Sequence, residues 1–276
     1  MSGAADPPFP FLRRNPRPEK PRTRGITSIR GPYYTPLGPR ALADVLDLAS
    51  SYVDILKFSG GAFTLFPERV VREMIDLCHE HGVRVSTGGF LERVLTQGAD
   101  AVDPYIEECA RLAFDIIEVS TGFLSAPPED LARITERIVA RGMEVDAEVG
   151  ILHGAGGATP EGSGSISLRD PRAAIDLARR QLDAGTARIV VESEGITEEV
   201  DEWRTEVIEE IAAALPLEVL LFEAAEPAVF RWYVQRFGPA VNLFVDHSQV
   251  IELEALRQGV WGPADLWGRV VALPDD

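Results

Sequence analysis

A single (β/α)8 barrel, the TIM-barrel class, is the fold this 276-residue sequence predicts, and three observations predict it. From Gly25 onward, eight short β-rich apolar runs alternate with eight segments of helical period. Prolines 39, 67, 127, 171 and 227 stand at or near helix starts, while glycines 82, 142, 185 and 238 follow helix ends. The apolar runs are nearly continuous in Val, Ile and Leu, as strands covered on both faces are. A doubly wound open sheet would usually carry a Gly-rich phosphate fingerprint after its first strand, and GPYYTPLGPR after Ile29 is not one.

The elements follow in order. Ile26 to Arg30 is the first strand and Pro39 to Ser51 the helix that returns from it. Val53 to Phe58 precedes Pro67 to His81, and Val83 to Thr87 precedes Ala101 to Leu112. Asp115 to Ser120 and Pro127 to Arg141 form the fourth unit, Glu144 to Val149 and Pro171 to Ala184 the fifth. Ala187 to Glu192 pairs with Glu202 to Leu215, Glu218 to Phe222 with Pro227 to Phe237, and Ala240 to Phe244 with Val250 to Gln258. Each helical segment carries apolar residues at helical spacing. The connection from Gly150 to Leu168 exceeds an ordinary loop and is rich in Gly and Ser, which predicts a lid.

Residues 1–24 read differently. They hold six prolines and six basic residues against Asp6 and Glu19, an arm that is either disordered or packed as an extended strap. A solubilising tail or a partner-binding arm are the roles open to it. The remaining 25–276 form one barrel domain. The net charge of −17 argues against nucleic acid or an anionic membrane as partner. No apolar run approaches the ~18 residues of a membrane span and no apolar leader opens the chain, so a cytoplasmic location is expected. Cys78 and Cys109 sit among aliphatic neighbours in helical segments and read as buried thiols. Trp232, Tyr233, Trp261 and Trp267 suit either barrel packing or a homo-oligomer contact.

In this fold the chemistry lies at the C-terminal ends of the strands. Those positions here are Arg30, Lys57, Ser86-Thr87-Gly88-Gly89, Glu118 with Ser120 and Thr121, Glu148 with Gly150, Glu192, Glu223 and Asn242. The fourth to seventh strands each end in a glutamate: DIIEVS, VDAEVG, VVESEG and LLFEAA. Like charges ~4 Å apart cost about 4 kcal/mol at an effective dielectric near 20, so converging carboxylates call for a compensating cation. Oxygen-only donors suit Mg2+, which makes Glu118, Glu148, Glu192 and Glu223 candidate ligands. A structural network with Arg30, Lys57 and loop arginines is the other arrangement.

Lys57 is one of only two lysines, beside Lys20 in the arm, among 27 basic residues. A lone lysine at a strand end marks a place for a compact, titratable point charge: anion binding, proton transfer, or a plain salt bridge. Gly88 and Gly89 either present backbone N–H groups to an anion or make a tight turn. His153, near the start of the lid, is a candidate proton donor. His79 and His81 end an outer helix and read as surface or capping residues, and the consecutive Asp246-His247-Ser248 cannot form a relay and opens the last helix.

The runs GPYYTPLGPR, VDILKFSGGAFTLFP, VSTGGFLERVLTQG, FDIIEVSTGF, AEVG, FEAAEP and FGPAVNLFVD together resemble the phosphosulfolactate synthase family over about Arg24 to Val270. That resemblance implies a (β/α)8 barrel and Mg2+-dependent addition of sulfite to phosphoenolpyruvate, the chemistry of coenzyme M biosynthesis. It places Lys57, Gly88, Gly89, Glu118, Glu148 and Glu223 in the mouth. Lys57 and His153 are then the catalytic candidates; Arg30, Gly88, Gly89, Ser120, Thr121, Gly150 and Asn242 would contact a small anionic phosphorylated substrate. Where archaeal members of the family carry lysines after EVG, this chain has Ile151 and Leu152, and in GPYYTP and LFPE it resembles the plant heat-stress-associated branch. A non-enzymatic stress or ligand-binding protein on the same barrel is the competing function.

Overall fold

The computed structural model describes residues 8–124, 126–153, 166–167 and 170–272, with the backbone alone for residues 152, 153, 166 and 167. Eight parallel strands close into a barrel in sequence order. They are β1 (Thr27–Arg30), β2 (Ile55–Lys57), β3 (Arg84–Ser86), β4 (Ile116–Val119), β5 (Glu144–Val149), β6 (Arg188–Val191), β7 (Leu220–Glu223) and β8 (Leu243–Asp246). β8 pairs back onto β1 with Thr27 opposite Leu243 and Arg30 opposite Asp246. The (β/α)8 class expected from the alternation is the fold observed.

The returning helices are α1 (Pro39–Ala49), α2 (Glu68–Glu80), α3 (Leu91–Leu95), α4 (Val102–Arg111), α5 (Pro128–Ala140), α6 (Arg172–Asp183), α7 (Thr205–Ala214), α8 (Pro227–Phe237) and α9 (Val250–Arg257). α3 is an extra short helix between β3 and α4. Most of the buried apolar residues join in one cluster that includes Leu42, Met74, Ile106, Ile138, Ile208 and Phe230 from the helices. A second, small cluster of Ile26, Ile55, Ile116, Val190, Leu221 and Phe244 fills the barrel itself. Because strand side chains alternate with a period of two, the residue two positions beyond each plug residue shares its inward face. That step runs from Ile55 to Lys57, Ile116 to Glu118, Val190 to Glu192 and Leu221 to Glu223.

Below that layer the interior is charged and paired. Arg188 lies 2.7 Å from Asp146 and 2.9 Å from Glu144, and Arg84 lies 2.6 Å from Glu144. Residues 17–22 pack against the N-terminal end of the barrel: Arg22 pairs with Asp54 at 3.0 Å and Arg17 with Glu254 at 2.9 Å, while Lys20 donates to the Ser50 and Val53 carbonyls. Cys78 and Cys109 are buried free thiols, and burial pushes each up to about 12. No described helix is long and apolar enough to cross a membrane. Within the expected lid, Leu152–His153 pairs antiparallel with Ile166–Ser167; the residues between them and the His153 side chain lie outside what is described.

Several boundaries lie one to three residues from expectation, and one of these shifts moves a candidate site residue. The last strand starts at Leu243, three residues later than the apolar run suggests, so Asn242 precedes it at the N-terminal end of the barrel. Its carboxamide accepts from Ile26 N–H and donates to the Glu218 and Leu220 carbonyls. Asn242 therefore ties three strand starts together and does not contact a ligand at the mouth. Asp246 takes the mouth end of β8, where its carboxylate accepts from the backbone N–H and hydroxyl of Ser248 and caps the turn into α9.

Candidate active site at the barrel mouth

A cavity of about 560 Å3 opens at the C-terminal strand ends, with Arg30, Lys57, Glu118, Glu148, Glu192 and Glu223 in its lining. The β2 strand delivers Lys57 into its floor, 8% exposed. There its Nζ stands 2.7 Å from Glu118 Oε2, 3.2 Å from Glu148 Oε2 and 4.7 Å from the centre of the Phe244 ring. Burial alone would lower its pKa, but the facing Glu118, Glu148 and Glu223 outweigh that and raise it. Lys57 is a fixed cation at neutral pH.

Arg30 is the second cation. One of its guanidinium nitrogens lies 2.5 Å from Glu223 Oε1, and the group sits over the rings of Tyr34 and Phe244 at 5.1 and 5.2 Å. Burial pushes the Glu223 carboxyl up, yet Arg30 and Lys57 draw it below the ordinary range. Glu118 goes the other way: burial, opposed by Lys57, leaves it at about 8. Among the described residues its Oε1 has no hydrogen-bond partner, and its Oε2 pairs with Lys57. Burial, with Glu148 and Glu223 beside it, pushes Glu192 well above the carboxylate range, and its side chain hydrogen-bonds to both.

Seven glutamates and three basic residues line this cavity. Among the described residues, no three His, Cys, Asp or Glu side chains are disposed to cage a metal ion. A Mg2+ ion needs no such cage, since it usually keeps several waters and takes one or two carboxylates with substrate oxygens. The touching carboxylates of Glu148, Glu192 and Glu223 and the orphaned Glu118 oxygen suit that smaller role.

The remaining expected residues fall as follows. Gly89 lines the cavity, and a Cβ there would meet Ser120 Oγ at 2.8 Å. Gly88 makes the turn: it has φ of +59°, and its N–H donates to Ser86 Oγ at 3.3 Å rather than facing the cavity. Ser120 lines the mouth; Thr121 and Gly150 line a recess of about 40 Å3 that shares Glu148 and Glu192 with it. His247 lies beside β1, with Nδ1 3.1 Å from the Arg30 carbonyl.

Sequence reasoning missed Glu92. This α3 residue is 4% exposed, and its carboxylate accepts from Ser120 Oγ at 2.6 Å and from the backbone N–H groups of Gly122, Phe123 and Leu124 at 3.0, 2.6 and 2.9 Å. It thereby holds the loop after β4 against the mouth. Its position three residues beyond Gly89 was the available signal, hidden because the periodicity did not separate α3 from its loop. The aromatic rim of Tyr33, Tyr34, Phe90 and Phe123 was missed for the same reason: loop residues have no period.

Comparison with known proteins adds the lineage. Residues 15–263 match the family model described as (2R)-phospho-3-sulfolactate synthase (ComA). The chain is 36% identical over 258 residues to Protein HEAT-STRESS-ASSOCIATED 32 of Arabidopsis thaliana, covering 90% of each chain. It is 29% identical over 271 residues to the phosphosulfolactate synthase of Methanothermobacter thermautotrophicus, covering 95% of this chain and 98% of the relative. Among solved structures, a phosphonopyruvate hydrolase complexed with oxalate and Mg2+ superposes with a TM-score of 0.53 at 14% identity, covering 84% of this chain and 79% of that one. That likeness is one of fold.

Proposed function

Because this chain belongs to the (2R)-phospho-3-sulfolactate synthase family, we propose that its mouth binds phosphoenolpyruvate and adds sulfite to it, as the lyase chemistry of that family implies. The observation that carries this reading is the placement of Lys57: a permanent ammonium at the cavity floor, held between Glu118 and Glu148. Arg30, fixed by Glu223 and two aromatic rings, supplies the second cation.

The two cations meet an acceptor that carries a phosphate and a carboxylate. Sulfite forms its C–S bond at C3, the π electrons move onto the C2–carboxylate unit, and a proton delivered to C2 completes phosphosulfolactate. Lys57 and Arg30 stabilise the charge that develops on the carboxylate, a term that costs no reorganisation because both are already oriented. Glu148 and Glu192 would hold a Mg2+ ion, which when bound polarises the carboxylate and offsets the surplus of glutamates. His153, just beyond β5, is the residue we assign to protonate C2.

A second reading is favoured by one observation, that Ile151 and Leu152 follow the EVG segment where the archaeal members carry lysines. In it the mouth binds the phospho-acid and releases it unchanged. Incubation with phosphoenolpyruvate, sulfite and Mg2+, read by mass spectrometry, separates the two. The synthase reading expects product, with Lys57→Ala reducing kcat/KM on the order of 10²-fold or more. Binding without product supports the second reading. No binding, or binding indifferent to Lys57→Ala, removes both.

A further inference from the structure

The cavity has two unlike halves. Tyr33 and Tyr34 follow β1, Phe90 follows β3, and Phe123 and Leu124 follow β4; all five line the mouth. On the side of β5 to β7 the lining residues are Glu148, Glu192, Glu194, Glu198 and Glu223. Since the strands follow one another around the barrel in sequence order, the aromatic residues gather on one side of the rim, where Glu92, Arg93 and Glu118 also line the cavity, and the other side is acidic. Arg30 and Lys57 stand beneath the aromatic side, at the ends of β1 and β2.

The aromatic side is built, with little freedom to rearrange. Gly60 and Gly61 have φ of +59° and +64°, and a Cβ on them would fall 2.1 Å from the Tyr33 ring and 2.3 Å from the Phe90 ring. The two rings lie directly on bare backbone. Phe90 packs at 5.1 Å on Phe63, which belongs to the core, and Tyr33 packs at 4.7 Å on Tyr34. Tyr33 and Tyr34 nevertheless remain 51% and 57% exposed, and Phe123, held through its backbone N–H by Glu92, is 66% exposed. Exposed aromatic faces gathered at one concave rim mark a binding surface.

A three-carbon phospho-acid seated on Lys57 and Arg30 would fill only part of this cavity. The volume of about 560 Å3 lies within the range of roughly 300–1,000 Å3 typical of pockets for much larger ligands. We infer that the ligand of this mouth is an amphipathic acid: an anionic head on Lys57 and Arg30, joined to an apolar body of at least ring size that lies against Tyr33, Phe90 and Phe123. This rests on the anion-binding floor of the reading above and extends it to a wider substrate class than phosphoenolpyruvate.

Pyruvate and phenylpyruvate share a 2-keto-acid head and differ by one ring, so their affinities for the full-length protein in Mg2+, measured by calorimetry, test the inference. Phenylpyruvate is expected to bind about tenfold or more tightly than pyruvate, as ring burial against aromatic side chains supports. Phe123→Ala and Tyr33→Ala are expected to bring that ratio toward one, and circular dichroism checks that both variants are folded. A ratio near one in the parent, a ratio that survives both substitutions, or no binding of either acid overturns the inference. Phosphoenolpyruvate titrated in parallel keeps the two readings apart. Turnover with sulfite alongside a ratio near one sinks the amphipathic ligand alone, whereas a high ratio without phosphoenolpyruvate binding sinks the family chemistry alone.

Discussion

The Glu92 carboxylate takes four hydrogen bonds from the loop after β4, three of them from consecutive backbone N–H groups. Burial pushes its pKa up, and the bonds from Ser120, Phe123 and Leu124 pull against that. Glu92→Ala leaves those donors unpaired, and a loss on the order of 3 kcal/mol is expected in urea denaturation. Phosphoenolpyruvate affinity should fall with it, because Ser120 and Phe123 line the mouth, and added acetate should restore part of it. Stability within about 0.5 kcal/mol of the parent would show that the loop holds itself. Glu192 sets a pH dependence. Burial beside Glu148 and Glu223 raises its pKa well above the ordinary carboxylate value, which favours the protonated form in the metal-free protein. A divalent cation that takes this carboxyl has to displace its proton, so Mg2+ affinity should rise with pH, with proton release seen by calorimetry in buffers of different ionisation enthalpy. A flat profile would mean that the ion, if it binds, does not use this carboxyl.

Strands and helices of this chain were legible because each carries its own period, and the loops that finish the site were not. β5 was read at its observed bounds, Glu144–Val149, and α8 likewise at Pro227–Phe237. The same alternation placed Lys57, Glu118, Glu192 and Glu223 at the mouth, since each lies two residues beyond an apolar plug residue. It failed at β8, where Val241 reads as strand although Asn242 still serves the barrel floor. The turn after β3 was ambiguous in sequence because two glycines suit an anion cradle and a tight turn alike. Space decides it: a Cβ on Gly88 would meet the Phe58 carbonyl oxygen at 2.3 Å, whereas one on Gly82, at φ of +64°, meets nothing within 4 Å. Gly82→Ala should therefore cost only the left-handed strain, about 1 kcal/mol, and Gly88→Ala at least roughly 1 kcal/mol more. Equal losses in thermal melts would mean that the Phe58 peptide yields freely.

Over the whole molecule, placed cations meet buried acids at both ends of the barrel. At the mouth these are Lys57 and Arg30. At the opposite end Arg17 and Arg22 of the N-terminal segment do it, Lys20 donates to the Ser50 carbonyl, and Arg257 donates to Gly25 and Val241 carbonyls and to Thr27 Oγ1. Composition showed the segment to be basic and Pro-rich but could not say where it lies, because its partners Asp54 and Glu254 are 32 and 237 residues away from Arg22 and Arg17. Lys20 reaches the Ser50 carbonyl at the end of α1, where a cation also meets the negative end of the helix dipole, and the Val53 carbonyl just before β2. The Arg22–Asp54 pair is the test of this strap, since both side chains are buried and Asp54 also accepts the Thr27 N–H at 2.9 Å. Arg22→Ala strands a carboxylate against the first strand and should cost about 3–5 kcal/mol, a fall in Tm on the order of 10 °C for a chain of this size. Asp54→Asn added to it removes the uncompensated charge while keeping an acceptor for Thr27, and should recover much of the loss. If the double variant melts no higher than Arg22→Ala, packing of the strap outweighs its charge, and the arm holds the barrel by contact alone.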